Sequence, residues 1–122
     1  MIWEVKNRSN ANRVYTNSGD GGGGDASGFV QAINKKGLCG ANDWRLPTVT
    51  ELQSIVYYGS EGAWPAILWE WFPLGRFYES WTSERFAYDL TYGWTVDFYK
   101  GHVRARDRGE IAAVRLVRID AK

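Results

Sequence analysis

One cysteine, one histidine, one methionine and three prolines are all that the 122 residues contain of these types, and the scarcity excludes several classes of function. Cys39 alone cannot form an internal disulfide or a multi-cysteine metal site, and His102 alone leaves no histidine pair for zinc. The same shortage leaves no Ser-His-Asp or Cys-His constellation unless His102 is recruited, and its place in a surface hairpin argues against that. No cofactor or metal is therefore expected. No run approaches the ~18 apolar residues that cross a bilayer, so membrane insertion is not expected. The opening "MIWEVKNRSN" lacks the apolar centre of a signal peptide, and its strand-like "IWEVK" reads as the start of a domain. Neither charge sign dominates: 15 Lys and Arg stand against 14 Asp and Glu, for a net charge of +1. This balance predicts no nucleic-acid partner.

What the chain does have is aromatic rings, with seven Trp and 16% Phe, Trp and Tyr overall. Rings in that number pack a core, bind a ligand, or both. The length and the 44% hydrophobic content predict one compact domain over residues 1–122. Residues 2–6 and 13–16 read as strands. The run "NSGDGGGGD" follows, and its four consecutive glycines predict a flexible loop at 18–25; no Gly-Lys-Ser/Thr follows, which excludes a phosphate-cradling loop. Residues 25–36 read as a helix capped by Ser27, with Phe29, Val30 and Ile33 on one face and Gly37 as its stop. Cys39, just after it, reads as a small buried hydrophobe.

The stretch "DWRLPTVTELQSIVYYG" at 43–59 carries several signals at once. Pro47 favours an extended residue before it and a helix after it. Thr48 and Glu51 form the T-x-x-E capping box, with Thr50 as a rival cap, and Leu52, Ile55 and Val56 make the buried stripe of a helix that Gly59 ends. The capping role of Glu51 is favoured over a general-acid role, and Asp43 can pair with Arg45. Residues 60–78 hold two prolines and six aromatics without a period, reading as a long loop whose rings either plug the core or stack on a ligand. Glu61, Glu70 and Glu79 could converge through it.

From Glu79 onward the pattern is β: "ESWTSE", a turn-like "RFAYDLTY", "GWTVDFYKGHVRAR", a turn at "DRGE", then "IAAVRLVRI". Alternation predicts a hairpin closed by Lys100-Gly101, with Phe98 opposite Val103 and Val96 opposite Ala105 on an apolar face. Its other face sets Tyr99 opposite His102, Asp97 opposite Arg104 and Thr95 opposite Arg106. That polar face is either solvated sheet or a recognition surface. Arginines at 104, 106 and 108 would recur at roughly 7 Å along an extended strand, a spacing that suits anionic groups on a chain.

The run "GLCGANDWRLPTVTELQSIV" at 37–56 resembles the Lcl C-terminal domain family, the head domain of bacterial collagen-like adhesins. So do "WTS" at 81–83, "WTVDF" at 94–98, Gly101 and "VRLVR" at 114–118. "IWEVK" and "FP" at 72–73 are further landmarks in the right order. The resemblance implies an α+β, C-type-lectin-like fold: two helices packed on a twisted antiparallel sheet, with the terminal strands close together. It implies display outside the cell or at its surface, association into oligomers such as trimers, and non-enzymatic binding of a glycan, sulfated in some cases, or of a protein ligand. A scaffold or assembly role through the same surface is the alternative. In relatives diversified by retroelements the near-C-terminal strands carry a variable binding surface. The corresponding positions here are Arg85, Tyr88, Tyr92, Thr95, Asp97, Tyr99, His102, Arg104, Arg106 and Arg108, set among scaffold positions that include Trp44, Leu46, Leu52, Trp81, Val96, Phe98 and Leu116. Family members often carry a cysteine before the first helix that could pair with that of "GLCG". The glycine run stands there instead. The enzymes of this fold need paired cysteines, which a single Cys39 does not supply.

Overall fold

A computed structural model of the chain describes residues 2–4, 13–55, 79–98 and 101–119. It is α+β, with two helices and antiparallel sheets. Helix α1 (Ala26–Lys36) begins at Asp25, whose extended backbone and carboxylate cap the first turn, the role expected of Ser27. Ser27 instead donates both its N–H, at 3.0 Å, and its hydroxyl, at 2.6 Å, to that carboxylate. Asp and Ser serve about equally well as N-caps, and the acid two residues before Ser27 takes the position here. Gly37 ends the helix in the left-handed conformation, φ 75°, and Lys35 and Lys36 lie where the helix dipole favours positive charge.

The loop before α1 is organised by the same carboxylate. Asp25 also accepts from Thr16 Oγ1 at 2.6 Å, the Ser18 N–H and hydroxyl at 2.7 and 3.0 Å, and the Gly19 N–H at 3.1 Å. Burial alone would raise its pKa, but these donors hold it far below the usual carboxylate range. The loop lies so close to the first turn of α1 that a Cβ on Gly28 would stand 1.9 Å from the Gly22 carbonyl oxygen.

Helix α2 (Val49–Gln53) starts at Thr48 with the full capping box: Thr48 Oγ1 accepts from Glu51 N at 3.1 Å and Glu51 Oε1 accepts from Thr48 N at 2.9 Å. Glu51 also takes a two-pronged contact from Arg45, both nitrogens at 2.7 Å. Asp43 bonds Arg118 at 2.7 Å rather than Arg45, so each of the two charges finds its partner on another segment. Helix α2 ends at Gln53 with Ser54 as its C-cap, after little more than a single turn and short of the stop expected at Gly59; residues 56–59 and the aromatic segment 60–78 lie outside the described residues.

Strand β1 (Ile2–Trp3) pairs antiparallel with β5 (Val117–Arg118), which joins the two ends of the chain. Strands β2 (Glu79–Arg85), β3 (Tyr92–Asp97) and β4 (His102–Asp107) form an antiparallel sheet in that order. The segments expected as strands at 13–16 and 111–119 pair more briefly. Ala113 bridges Ser80 on the free edge of β2, Ala112 bridges Tyr15, and Val117 bridges Arg45. The C-terminal segment thus serves both sheets in turn, which breaks it into short pairings. With β2 covered on that side, β4 is the outer strand of the sheet among the described residues.

Two clusters hold these elements. Tyr15, Ala26, Trp44, Trp81, Val114 and Leu116 form one, with Phe29, Val30 and Ile33 of α1 packed on it. Leu52, Val96 and Phe98 form the other, with Trp3, Ile55 and Val103 against it. Trp81 and Val96 belong to opposite faces of the sheet, so its β2–β3 half is covered on both sides. That is why Gly93 and Thr95 are buried as well as Val96, although the alternation of β3 predicts a polar face.

Candidate functional site

The β3–β4 hairpin pairs Asp97 with His102, Val96 with Val103, Thr95 with Arg104, Trp94 with Ala105 and Gly93 with Arg106. The expected partners are therefore displaced by two residues. Phe98 is fully buried with Leu52 and Val96, so it leaves the ladder instead of facing Val103. The Gly101 N–H donates to the Asp97 carbonyl at 2.6 Å, with Gly101 at φ 79°. A shift of two preserves the alternation of faces. The apolar and polar sides are those the sequence predicts, but the cross-strand pairs are not: Asp97 lies opposite His102, not Arg104.

The polar side is itself divided. Thr95 is fully buried; it lies directly opposite Trp81, and its hydroxyl donates to the Arg104 carbonyl at 3.2 Å. It does not line the outward surface, because the neighbouring strand supplies a ring that covers it. Gly93 is covered too, since a Cβ there would lie 3.3 Å from the Trp81 ring. Beyond β3 the surface opens. His102 and Arg104 are exposed, and Asp97 and Arg106 are half-buried. Tyr99 lies outside the described residues.

The three arginines differ in what holds them. Arg106 bonds Glu79 at 2.9 Å and pairs with Glu110 at 3.2 Å. Its Nε is buried without a hydrogen-bond partner among the described residues. Arg108 donates to the carbonyls of Asn17 at 2.7 Å and Leu90 at 3.2 Å, which ties the loop before α1 to the β2–β3 turn. Arg104 reaches Glu79 only at 3.8 Å and keeps a side chain 59% exposed. Of the three, Arg104 presents the most accessible guanidinium.

The β2–β3 turn carries further exposed side chains. Its backbone is folded by bonds from Phe86 N to Tyr92 O and from Tyr92 N to Asp89 O, both at 3.0 Å. Asp89 accepts from the Thr91 hydroxyl and N–H, which lowers its pKa. The turn projects Tyr88, which is 92% exposed, with Leu90 and Tyr92 also exposed. Phe86 braces it, edge-on to Tyr88 at 5.6 Å and to Trp94 at 5.2 Å. Arg85 is exposed where β2 enters this turn.

One residue departs from its expected role. Cys39 is exposed, not buried, and holds a left-handed backbone, φ 56°, in the 3-10 turn Leu38–Gly40. Glu79 is the common partner of Arg104 and Arg106. Its position two residues before Trp81, on the same side of β2, is the signal that would have placed it there. Glu61 and Glu70 lie outside the described residues. Among the described residues no group of three or more His, Cys, Asp or Glu could hold a metal. No helix among them is long and apolar enough to cross a membrane.

These features define an α+β domain in which two helices and two clusters hold an antiparallel sheet whose outer strand bears basic side chains. The Lcl C-terminal domain family model matches residues 1–118, and the chain belongs to that family. Membership points to a surface-associated domain. A search of curated proteins finds no match to the chain.

Proposed function

We propose that this is a non-enzymatic ligand-binding module with a C-type-lectin-like arrangement, acting outside the cell or at its surface. It recognises an acidic glycan, such as a sulfated one, through β4 and the β2–β3 turn. The observation that carries this reading is the open guanidinium of Arg104 on β4, the outer strand of the sheet among the described residues. The exposed rings of Tyr88 and Tyr92 lie on the adjoining β2–β3 turn, with Tyr92 on the other side of the sheet from Arg104 by the alternation of β3, so they offer additional contact area beside the basic strand. Guanidinium matches sulfate or carboxylate through parallel hydrogen bonds, and aromatic rings give rigid contact area to a sugar or a peptide.

Retention on a heparin column as a function of NaCl concentration tests the proposal. Binding is expected to weaken steeply with salt and to fall in Arg104→Ala and in Tyr88→Ala. Unchanged retention in both variants sinks it. A second reading, a self-assembly or trimer surface, draws on β4 being the outer strand among the described residues, since an open edge is a template for another strand. If Arg104→Ala leaves retention intact but changes the sedimentation coefficient, assembly is the role of this surface.

A further inference from the structure

The anion-binding reading leaves one feature without a role: a carboxylate in the middle of the basic surface. Glu79 lies on the same side of the sheet as Arg104 and Arg106, with its side chain 13% exposed. Glu79 is opposite Asp97 in the ladder, so the guanidiniums of Arg104 and Arg106 reach it diagonally across β3 from positions opposite Thr95 and Gly93. Neither carries a bulky side chain that would block the crossing. The two contacts are unequal. Arg106 is held at 2.9 Å with Glu110 as a second anchor and is 29% exposed, whereas Arg104 stands at 3.8 Å and is 59% exposed. At 3.8 Å the Arg104 contact is an ion pair beyond hydrogen-bond distance, and exposed ion pairs of this kind exchange at little cost.

We propose that Glu79 is an internal counter-anion, a specificity-determining residue whose hold on Arg104 an incoming anionic group must displace, while Arg106 stays locked. This rests on the anion-binding reading of the β4 surface. Glu79 neutralises part of the local positive charge, so singly charged, well-hydrated anions gain little there. A ligand group that offers Arg104 two oxygens in hydrogen-bonding geometry replaces a loose pair with a close one. Glu79 thus favours ligands that bring several anionic groups to the surface over those that bring one, and Arg104 rather than Arg106 makes the contact.

The experiment is titration calorimetry with a heparin hexasaccharide as probe on the full chain, comparing wild type, Glu79→Gln, Arg104→Ala and the double variant. Glu79→Gln keeps a hydrogen-bond acceptor for Arg106 and removes the charge. It is expected to tighten binding by roughly three- to tenfold, the size of one nearby charge in a partly screened setting, and the gain is expected to vanish in the double variant. Tight binding by Glu79→Gln where wild type binds undetectably also supports the proposal. If Glu79→Gln binds like wild type or more weakly while Arg104→Ala loses affinity, the anion-binding reading stands and the role of Glu79 is overturned. If none of the proteins binds, both fall. Should Glu79→Gln melt well below wild type, the guanidinium Nε–H signals of the wild-type protein decide. The Arg104 signal is expected to shift with the hexasaccharide while that of Arg106 stays, and equal shifts overturn the proposal.

Discussion

At the residue scale, single side chains act here mainly through the partners they satisfy. Asp25 is 1% exposed and accepts from Thr16, Ser18, Gly19 and Ser27. Replacing it by Ala leaves several donors unpaired, and a loss of about 3 kcal/mol is expected from urea unfolding. Gly28 has no room for a methyl group beside Gly22, so Gly28→Ala is expected to lower the urea midpoint, costing about 1–3 kcal/mol. The arginines of β4 separate on the same logic. Arg106→Ala removes the close partner of a largely buried Glu79 and is expected to cost about 1–2 kcal/mol. Arg104→Ala, at a loose and exposed pair, is expected to stay within about 0.5 kcal/mol. Equal losses in the two variants would contradict the division between a fixed and an available guanidinium. None of this is visible in the alternation of "HVRARD", where the two arginines look equivalent.

At the element scale, local signals survive folding and pairings do not. The capping box of α2 is read from four consecutive residues because its two hydrogen bonds close within them. Thr48→Ala is expected to cost about 1 kcal/mol in thermal or urea unfolding. Hydrogen bonds from Arg45, with help from the Thr48 backbone, lower the Glu51 pKa from 4.5 to about 2. A carboxylate with a depressed folded-state pKa contributes stability that is present above its unfolded value and lost as pH falls through the folded one. Stability is therefore expected to decline between about pH 4.5 and pH 2, and Glu51→Gln is expected to flatten that part of the curve while lowering stability at neutral pH. An unaltered acid limb in Glu51→Gln would refute the assignment. The hairpin shows the contrary case. Its two faces were legible because they depend only on alternation, but its register depended on where Phe98 goes, and that was decided by Leu52 in a helix some 45 residues earlier.

At the scale of the whole molecule, the two ends of the chain are joined. Besides the β1–β5 pairing, Glu4 N donates to the Leu116 carbonyl at 2.9 Å, and Glu4 Oε1 accepts from Leu116 N at 3.1 Å. Arg115 donates to the Glu4 carbonyl at 3.3 Å. Burial lowers the Arg115 pKa to about 10, against the opposing pull of the Glu4 charge. Glu4→Ala removes a buried acceptor from this junction and is expected to cost about 1–3 kcal/mol by urea denaturation. Because the junction connects the first strand to the last, faster exchange of the Val117 amide is expected to accompany the loss. A surface-like effect within ~0.5 kcal/mol would show that the junction does not hold the termini.

The sequence by itself determined whatever depends on near neighbours and composition: the α+β class, the capping box at Thr48, the glycine stop at Gly37, the alternation of β3 and β4, and the family to which "DWRLPTVTEL" points. Only the tertiary structure decided which polar residues face outward. Thr95 is hidden because Trp81 lies opposite it on the next strand, and Arg106 and Arg108 are occupied because Glu79, Asn17 and Leu90 come within reach. The physical reason is one of range. Capping and alternation are satisfied within a few residues, whereas the burial of a threonine and the pairing of an arginine depend on strands and loops that the chain brings alongside from 14 to 91 residues away.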